Sequence, residues 1–251
     1  MARSVPTAAH YLQGQSPRAR GREKQANVLE WVYCWGFSTA EIIRKVAGQK
    51  ANGYAKFLTD KELLRATRTA SGVPRDYYTL TETGLQEAVR DTSQDHPYVE
   101  LDPYRVKQAQ IRHYRLAQLA TIGALENDLI EDFQTERMLG RADAPGIKRP
   151  DVIWEVSDNT RWAVEIELSG KWGQKMDEFV SNIYSALRAG TYDRFCIVTD
   201  SPALEARYEN AIREPSVPVW RKTSNGLWEK VDMLSLPSWL PQKVNFQLIE
   251  G

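Results

Sequence analysis

The sequence is poor in the residues and segments that mark secreted, zinc-binding or membrane proteins. It has two cysteines and three histidines in 251 residues. Two isolated cysteines, Cys34 and Cys196, cannot build a disulfide framework, and their spacing is not that of a zinc site. No run of about 18 apolar residues occurs, so we expect no membrane-spanning helix. The N-terminus has no apolar segment of the secretory type, and we therefore expect a cytoplasmic protein with reduced cysteines.

An excess of charge of either sign is also absent, because 33 Lys and Arg balance 33 Asp and Glu. The balance hides an asymmetry, since residues 1–90 carry a net charge of +6 and the remainder carries −6. A basic first third suits contact with a polyanion, and an acidic remainder suits the binding of cations. The alternative is that these charges lie on ordinary solvated faces.

Residues 1–24 are predicted to form a flexible basic arm. The segment contains Arg18, Arg20 and Arg22 and has no apolar periodicity. Such an arm can follow phosphates or enter a minor groove of DNA. A polar tail without a binding role is the alternative.

Residues 25–95 are predicted to form a winged-helix DNA-binding domain. A helical apolar stripe ends at Gly36, and Ser38 with Glu41 forms a capping box that predicts the start of a second helix. A third helix is predicted over residues 49–59 and would be the one that enters the major groove. The polar residues on its outer face are Gln49, Lys50, Asn52, Tyr54 and Lys56.

A hairpin is predicted after these helices, with strands over residues 63–68 and 77–80. Arg68 and Arg75 would lie near its Gly- and Pro-containing tip, where a wing contacts phosphates. The run from Tyr77 to Gly84 resembles the junction between wing and helix in many winged-helix domains. With the basic charge, this resemblance favours double-stranded DNA over a protein as the partner.

Residues 96–251 are predicted to form a second domain, which begins with a helical connector over residues 100–135. Two alternating stretches follow and predict neighbouring strands, one starting at Asp151 and the other carrying Glu165 and Glu167 on one face, about 7 Å apart. Three carboxylates in this arrangement suit a hard divalent cation. Lys171 or Lys175 would add a positive charge that stabilises the negative charge on the phosphate in the transition state.

This pattern resembles the signature of the PD-(D/E)XK nuclease superfamily. Pro-Asp is followed after 13 residues by Glu-x-Glu and then by a lysine. Asp151 and Glu165 match the first two acidic positions, whereas Glu167 stands where the superfamily has a lysine. The resemblance implies that Asp151, Glu165 and Glu167 hold Mg²⁺ or Mn²⁺, with Lys171 or Lys175 supplying the missing cation.

The order of a winged helix and then such a domain, with Arg-Pro-Asp and Val-Glu-Ile-Glu-Leu-Ser-Gly-Lys, is similar to that of the replication-relaxation family. The likeness is strongest to the MobC-class plasmid mobilisation relaxases. It implies an α/β (α+β) protein that nicks one DNA strand at a plasmid transfer origin, with Mg²⁺ or Mn²⁺. It also implies a relaxosome accessory protein as a partner.

Two other functions remain open from the sequence. The glutamate at the lysine position favours a sequence-specific DNA-binding regulator of plasmid replication or transfer with an inactive nuclease-like domain. A restriction-type endonuclease that cuts both strands is the third possibility. The absence of a His-x-His pattern argues against relaxases that use a three-histidine metal cluster.

Overall fold

The computed structural model describes residues 16–92, 96–98, 101–139 and 149–249. The chain is a mixed α/β protein that divides into two compact units, residues 1–141 and 142–251. Within the described ranges, every helix is too short or too polar to cross a membrane.

The first unit combines helices with a small antiparallel sheet. Its described helices are α1 (Pro17–Trp35), α2 (Ala40–Val46), α3 (Tyr54–Asp60), α4 (Glu82–Asp91) and α5 (Ile111–Glu126). Its described strands are β1 (Ser38–Thr39), β2 (Leu64–Arg68), β3 (Asp76–Leu80) and β4 (Asp132–Thr135). The sheet has the order β1-β3-β2, and both pairings are antiparallel.

The first helix begins earlier than the sequence suggested. Ser16 is the N-cap of α1, since its hydroxyl accepts a hydrogen bond from the Ala19 backbone nitrogen at 3.2 Å, and Pro17 occupies the first turn. The prediction of a flexible arm is therefore wrong for residues 17–24, because Ser-Pro is a strong helix start. Residues 1–15 of that prediction lie outside the described residues.

The third helix is shorter than the predicted range of 49–59. Gly48 and Gly53 have φ angles of 58° and 129°, in the region that favours glycine, and α3 begins only at Tyr54. Three of the residues assigned to its outer face, Gln49, Lys50 and Asn52, therefore lie in the connection between α2 and α3.

The predicted capping box is also replaced by a different set of contacts. Thr39 is the N-cap of α2 and accepts from the Ile42 backbone nitrogen at 3.5 Å. Ser38 is instead part of β1, where it pairs with Tyr78. Glu41 accepts a hydrogen bond from Arg115 of α5 at 2.7 Å.

A buried glutamine assigns α5 to the first unit. Gln118 is fully buried, and its side-chain oxygen accepts hydrogen bonds from Trp31 at 2.8 Å and Ser38 at 2.9 Å. Its amide nitrogen donates to the Phe37 carbonyl at 3.1 Å. The helical connector therefore belongs with residues 16–92, not with the second domain that was predicted to start at residue 96.

The second unit is built on a mostly parallel sheet. Its strands in spatial order are β5 (Val152–Glu155), β6 (Arg161–Ile166), β7 (Arg194–Thr199) and β10 (Val244–Leu248). β5 is antiparallel to β6, while β7 is parallel to both β6 and β10. The remaining elements are α6 (Gln174–Arg188), α7 (Pro202–Arg213) and the antiparallel pair β8 (Ser216–Lys222) and β9 (Trp228–Ser235).

The strand β7 lies between β6 and β10, an interior position that its unbroken apolar run predicted. Cys196 lies in it with a free thiol, and burial raises the pKa of that thiol to about 12. Cys34 of α1 is likewise free and buried. The expectation of buried cysteines without a disulfide is confirmed.

A glycine in α4 yields the first prediction. A Cβ at Gly84 would lie 2.0 Å from the Leu63 carbonyl oxygen, which belongs to the backbone and cannot move cheaply. We expect Gly84→Ala to lower the free energy of unfolding by ~1–3 kcal/mol through this overlap. Urea denaturation measures the effect.

Gly21 of α1 is the matched control, because nothing lies within 4 Å of a Cβ at that position. Gly21→Ala should raise the free energy of unfolding by up to about 1 kcal/mol, as expected for a helix interior. Equal responses of the two variants would contradict the close packing at Gly84.

Candidate active site

The pairing of β5 with β6 places Asp151 beside β6. Val152 pairs with Val164, and the Asp151 backbone nitrogen donates to the Val164 carbonyl oxygen at 3.0 Å. This hydrogen bond is one residue out of step with the pairing, so the ladder ends at Val152 and Asp151 lies in the bend just before β5.

Asp151 is held by a backbone donor of the adjacent strand. Its Oδ2 atom accepts a hydrogen bond from the Ile166 backbone nitrogen at 2.8 Å. This bond fixes the side chain across β6, next to the position of Glu165. The carboxylate is therefore oriented by the sheet itself before any ligand arrives.

Glu165 and Glu167 are nearly inaccessible to solvent, with 3% and 5% of their surface exposed. They lie at the end of β6, two residues apart, and side chains two residues apart along a strand project to the same face. A buried carboxylate is unfavourable unless hydrogen bonds or opposite charges compensate it. Two such residues side by side indicate a site rather than a solvated surface.

The compensation at Glu167 comes from two side chains. Lys171 donates from its Nζ atom to Oε1, and the Tyr208 hydroxyl of α7 donates to Oε2 at 2.8 Å. Burial is the main reason that the pKa of Tyr208 is raised, and the bond to Glu167 adds to it. Both oxygens of Glu167 are thus engaged within the second unit.

Lys171 is enclosed by aromatic rings as well as by the carboxylate. Its Nζ atom lies 4.7 Å from the ring centroid of Phe179 and 5.6 Å from that of Tyr208. Such contacts favour a cation at this point. Lys175, the other candidate, is exposed in the first turn of α6, so Lys171 is the lysine that joins the carboxylates.

Asp151 and Glu165 could hold a divalent metal ion. They offer hard oxygen donors, which is the chemistry that Mg²⁺ and Mn²⁺ prefer. Glu167 fits this role less well, because its oxygens already serve Lys171 and Tyr208. Over the described ranges, no three His, Cys, Asp or Glu side chains form a ready-made metal group.

The residues predicted to bind DNA are spread over four places in the first unit. Arg68 and Arg75 are exposed on either side of the hairpin tip, which a hydrogen bond from the Thr69 nitrogen to the Arg75 carbonyl oxygen closes at 3.1 Å. Lys56 of α3 pairs with Asp60 at 2.7 Å. The others lie on α1 (Arg18, Arg20, Arg22), in the α2–α3 connection (Gln49, Lys50, Asn52) and at the start of α3 (Tyr54).

Sequence reasoning missed Tyr208, which completes the Glu167 group. It lies 41 residues after Glu167, in the amphipathic helix α7. A tyrosine in such a helix is expected to pack, and no local pattern distinguishes one that reaches a carboxylate. Only the packing of α7 against β7 in the folded protein shows that Tyr208 reaches Glu167.

Comparison of the chain with protein-family models, with curated proteins and with solved structures finds no match.

Removing the lysine tests the Glu167 group. Lys171→Met should lower the free energy of unfolding by ~2–4 kcal/mol, because it leaves the buried Glu167 carboxylate without its counter-charge. The double variant Glu167→Gln with Lys171→Met should regain part of this loss. Chemical denaturation of the two single variants and the double variant gives the coupling energy, and additive effects would argue against a stabilising pair.

Proposed function

We propose that the protein is a metal-dependent endonuclease that nicks one strand of DNA. The observation that carries this proposal is a set of acidic side chains at one end of β6. Asp151 is held by the Ile166 nitrogen, Glu165 and Glu167 are buried, and Lys171 is bound to Glu167. Acidic groups beside a positioned cation suit the hydrolysis of a phosphodiester bond, where negative charge develops on the phosphoryl oxygens.

The order of elements along the chain supports this reading. Within the second unit, the order β5, β6, α6, β7 agrees with the strand, strand, helix, strand order of the PD-(D/E)XK core. The carboxylates stand at the start of one strand and the end of the next, as the signature requires. We therefore propose the superfamily fold for this part of the chain.

Each residue of the site has a separate role in the proposed reaction. Asp151 and Glu165 would hold Mg²⁺ or Mn²⁺, which when bound supplies Lewis-acid polarisation of a phosphoryl oxygen. The positive charge of Lys171 would stabilise the negative charge that develops on the phosphate. Glu167 and Tyr208 hold Lys171 in place, which is a positioning role and replaces the metal-binding role expected for Glu167.

We propose that the first unit binds double-stranded DNA. Its order of α1, β1, α2, α3, β2 and β3 supports the proposal of a winged helix. The exposed Arg68 and Arg75 would contact phosphates at the wing, and Tyr54 and Lys56 would lie on the helix that enters the major groove. Phosphate contacts fix the position of the protein and leave sequence choice to the base edges.

The most specific form of the proposal is a relaxase that acts at a plasmid transfer origin, in the cytoplasm and with a relaxosome accessory protein. It rests on the resemblance to the replication-relaxation family. A DNA-binding regulator with an inactive nuclease-like domain is the main competing function. A restriction-type enzyme would differ by cutting both strands.

A nicking assay tests the proposal. Supercoiled plasmid incubated with the protein and Mg²⁺ or Mn²⁺ should yield open circles, and EDTA should prevent this. Asp151→Asn and Glu165→Gln should each lower the nicking rate by at least 100-fold, because each removes a charged ligand of the metal. Glu229→Gln is the matched control, since Glu229 is exposed on β9 in the same unit.

The products separate the alternatives. Linear plasmid instead of open circles would support the restriction-type enzyme. Retained DNA binding without scission under any metal condition would contradict the nickase and favour the regulator. Nicking by Asp151→Asn at the wild-type rate would remove Asp151 from the site.

A further inference from the structure

A solvent-exposed tryptophan directly follows the lysine that is bound to Glu167. Trp172 follows Lys171 in the loop between β6 and α6, and 69% of its surface is exposed. Tryptophan side chains are usually well buried, and Trp172 is the most exposed tryptophan among the described residues.

The indole is stacked on one face by an arginine. The guanidinium carbon of Arg207 lies 3.1 Å from the centroid of the Trp172 ring. Gly170 makes room for this contact, because a Cβ at Gly170 would lie 2.6 Å from Nη1 of Arg207. The arginine orients the ring and adds a positive charge, while the exposed fraction leaves ring surface for a ligand.

This stacked pair is tied to the carboxylates through α7. Arg207 is followed by Tyr208, whose hydroxyl donates to Glu167 and also lies 3.1 Å from the Ser169 carbonyl oxygen. The loop that carries Lys171 and Trp172 is therefore fixed at the same helix that holds Glu167. Lys171 and Trp172, which are adjacent in this loop, are thus both anchored next to α7.

We infer that Trp172 and Arg207 form a subsite for an unpaired base next to the phosphate that is cut. Every base has a flat face that stacks on an indole, and guanidinium groups pair with phosphates. A base inside a duplex is already stacked on both sides and cannot reach the ring. The inference rests on the proposed function and adds that the DNA strand is melted or single-stranded at the cleavage point.

Fluorescence of 2-aminopurine tests the subsite without requiring catalysis. The full chain is titrated in EDTA with a duplex in which 2-aminopurine lies in a single-stranded gap, and with the same duplex fully paired. We expect quenching and tighter binding for the gapped DNA. Trp172→Ala should weaken binding of the gapped DNA by roughly fivefold to 100-fold and leave the paired DNA unchanged.

Two further variants sharpen the result. Trp172→Phe keeps an aromatic face and should retain most of the affinity for gapped DNA. Trp228→Ala removes another exposed tryptophan, on β9 with 46% of its surface exposed, and should bind like the wild type. Binding of gapped DNA by Trp172→Ala at wild-type affinity, or equal binding of gapped and paired DNA by the wild type, would overturn the subsite.

The two proposals fail in different ways. Loss of quenching in Trp172→Ala with intact nicking in wild type supports both. Trp172-dependent quenching in a protein that never nicks supports the subsite and rejects the nuclease. Nicking that needs Asp151 and Glu165, combined with no Trp172-dependent binding, overturns the subsite alone.

Discussion

The antiparallel register of β5 against β6 is the constraint on which the candidate site depends. A shift of one residue would move the Asp151 carboxylate away from the Ile166 nitrogen that holds it, since side chains alternate along a strand. The register is fixed by apolar pairs such as Val152 with Val164, which are buried. It is strengthened just before the start of β5 by the hydrogen bond from the Ile166 nitrogen to Asp151. Packing of apolar side chains thus sets the separation of the charged ones.

The Glu167 group gives this pair its cation. A lysine on the strand itself would reach the same face directly, and here a glutamate on the strand instead holds a lysine from the following loop. The arrangement places the positive charge of Lys171 between a carboxylate and two aromatic rings, which restricts its motion. The same loop then presents Trp172, so one short segment carries both the charge and the stacking surface. Tyr208 and Arg207 are adjacent on α7. Tyr208 donates a hydrogen bond to Glu167, and Arg207 stacks on Trp172.

Much of the local structure could be predicted from sequence, because alternation and turn residues are local signals. The hairpin of β2 and β3, the strands β5 and β6 and the apolar β7 all follow from such patterns. The boundaries failed where short signals competed: Ser16-Pro17 starts α1 in spite of the surrounding arginines, and Gly53 delays α3. Contacts between distant residues could not be predicted at all. Gln118 joins α5 to Trp31 and Ser38, and Tyr208 reaches Glu167, across separations of 87, 80 and 41 residues.

The central claim is that Asp151 and Glu165 together bind a divalent metal ion. Direct measurement of Mn²⁺ binding by electron paramagnetic resonance, in the absence of DNA, tests it without relying on catalysis. The account predicts saturable binding by the wild type that weakens at least tenfold in both Asp151→Asn and Glu165→Gln, and that persists in Glu229→Gln. Equal Mn²⁺ binding by wild type and both site variants, or none by the wild type, would contradict it.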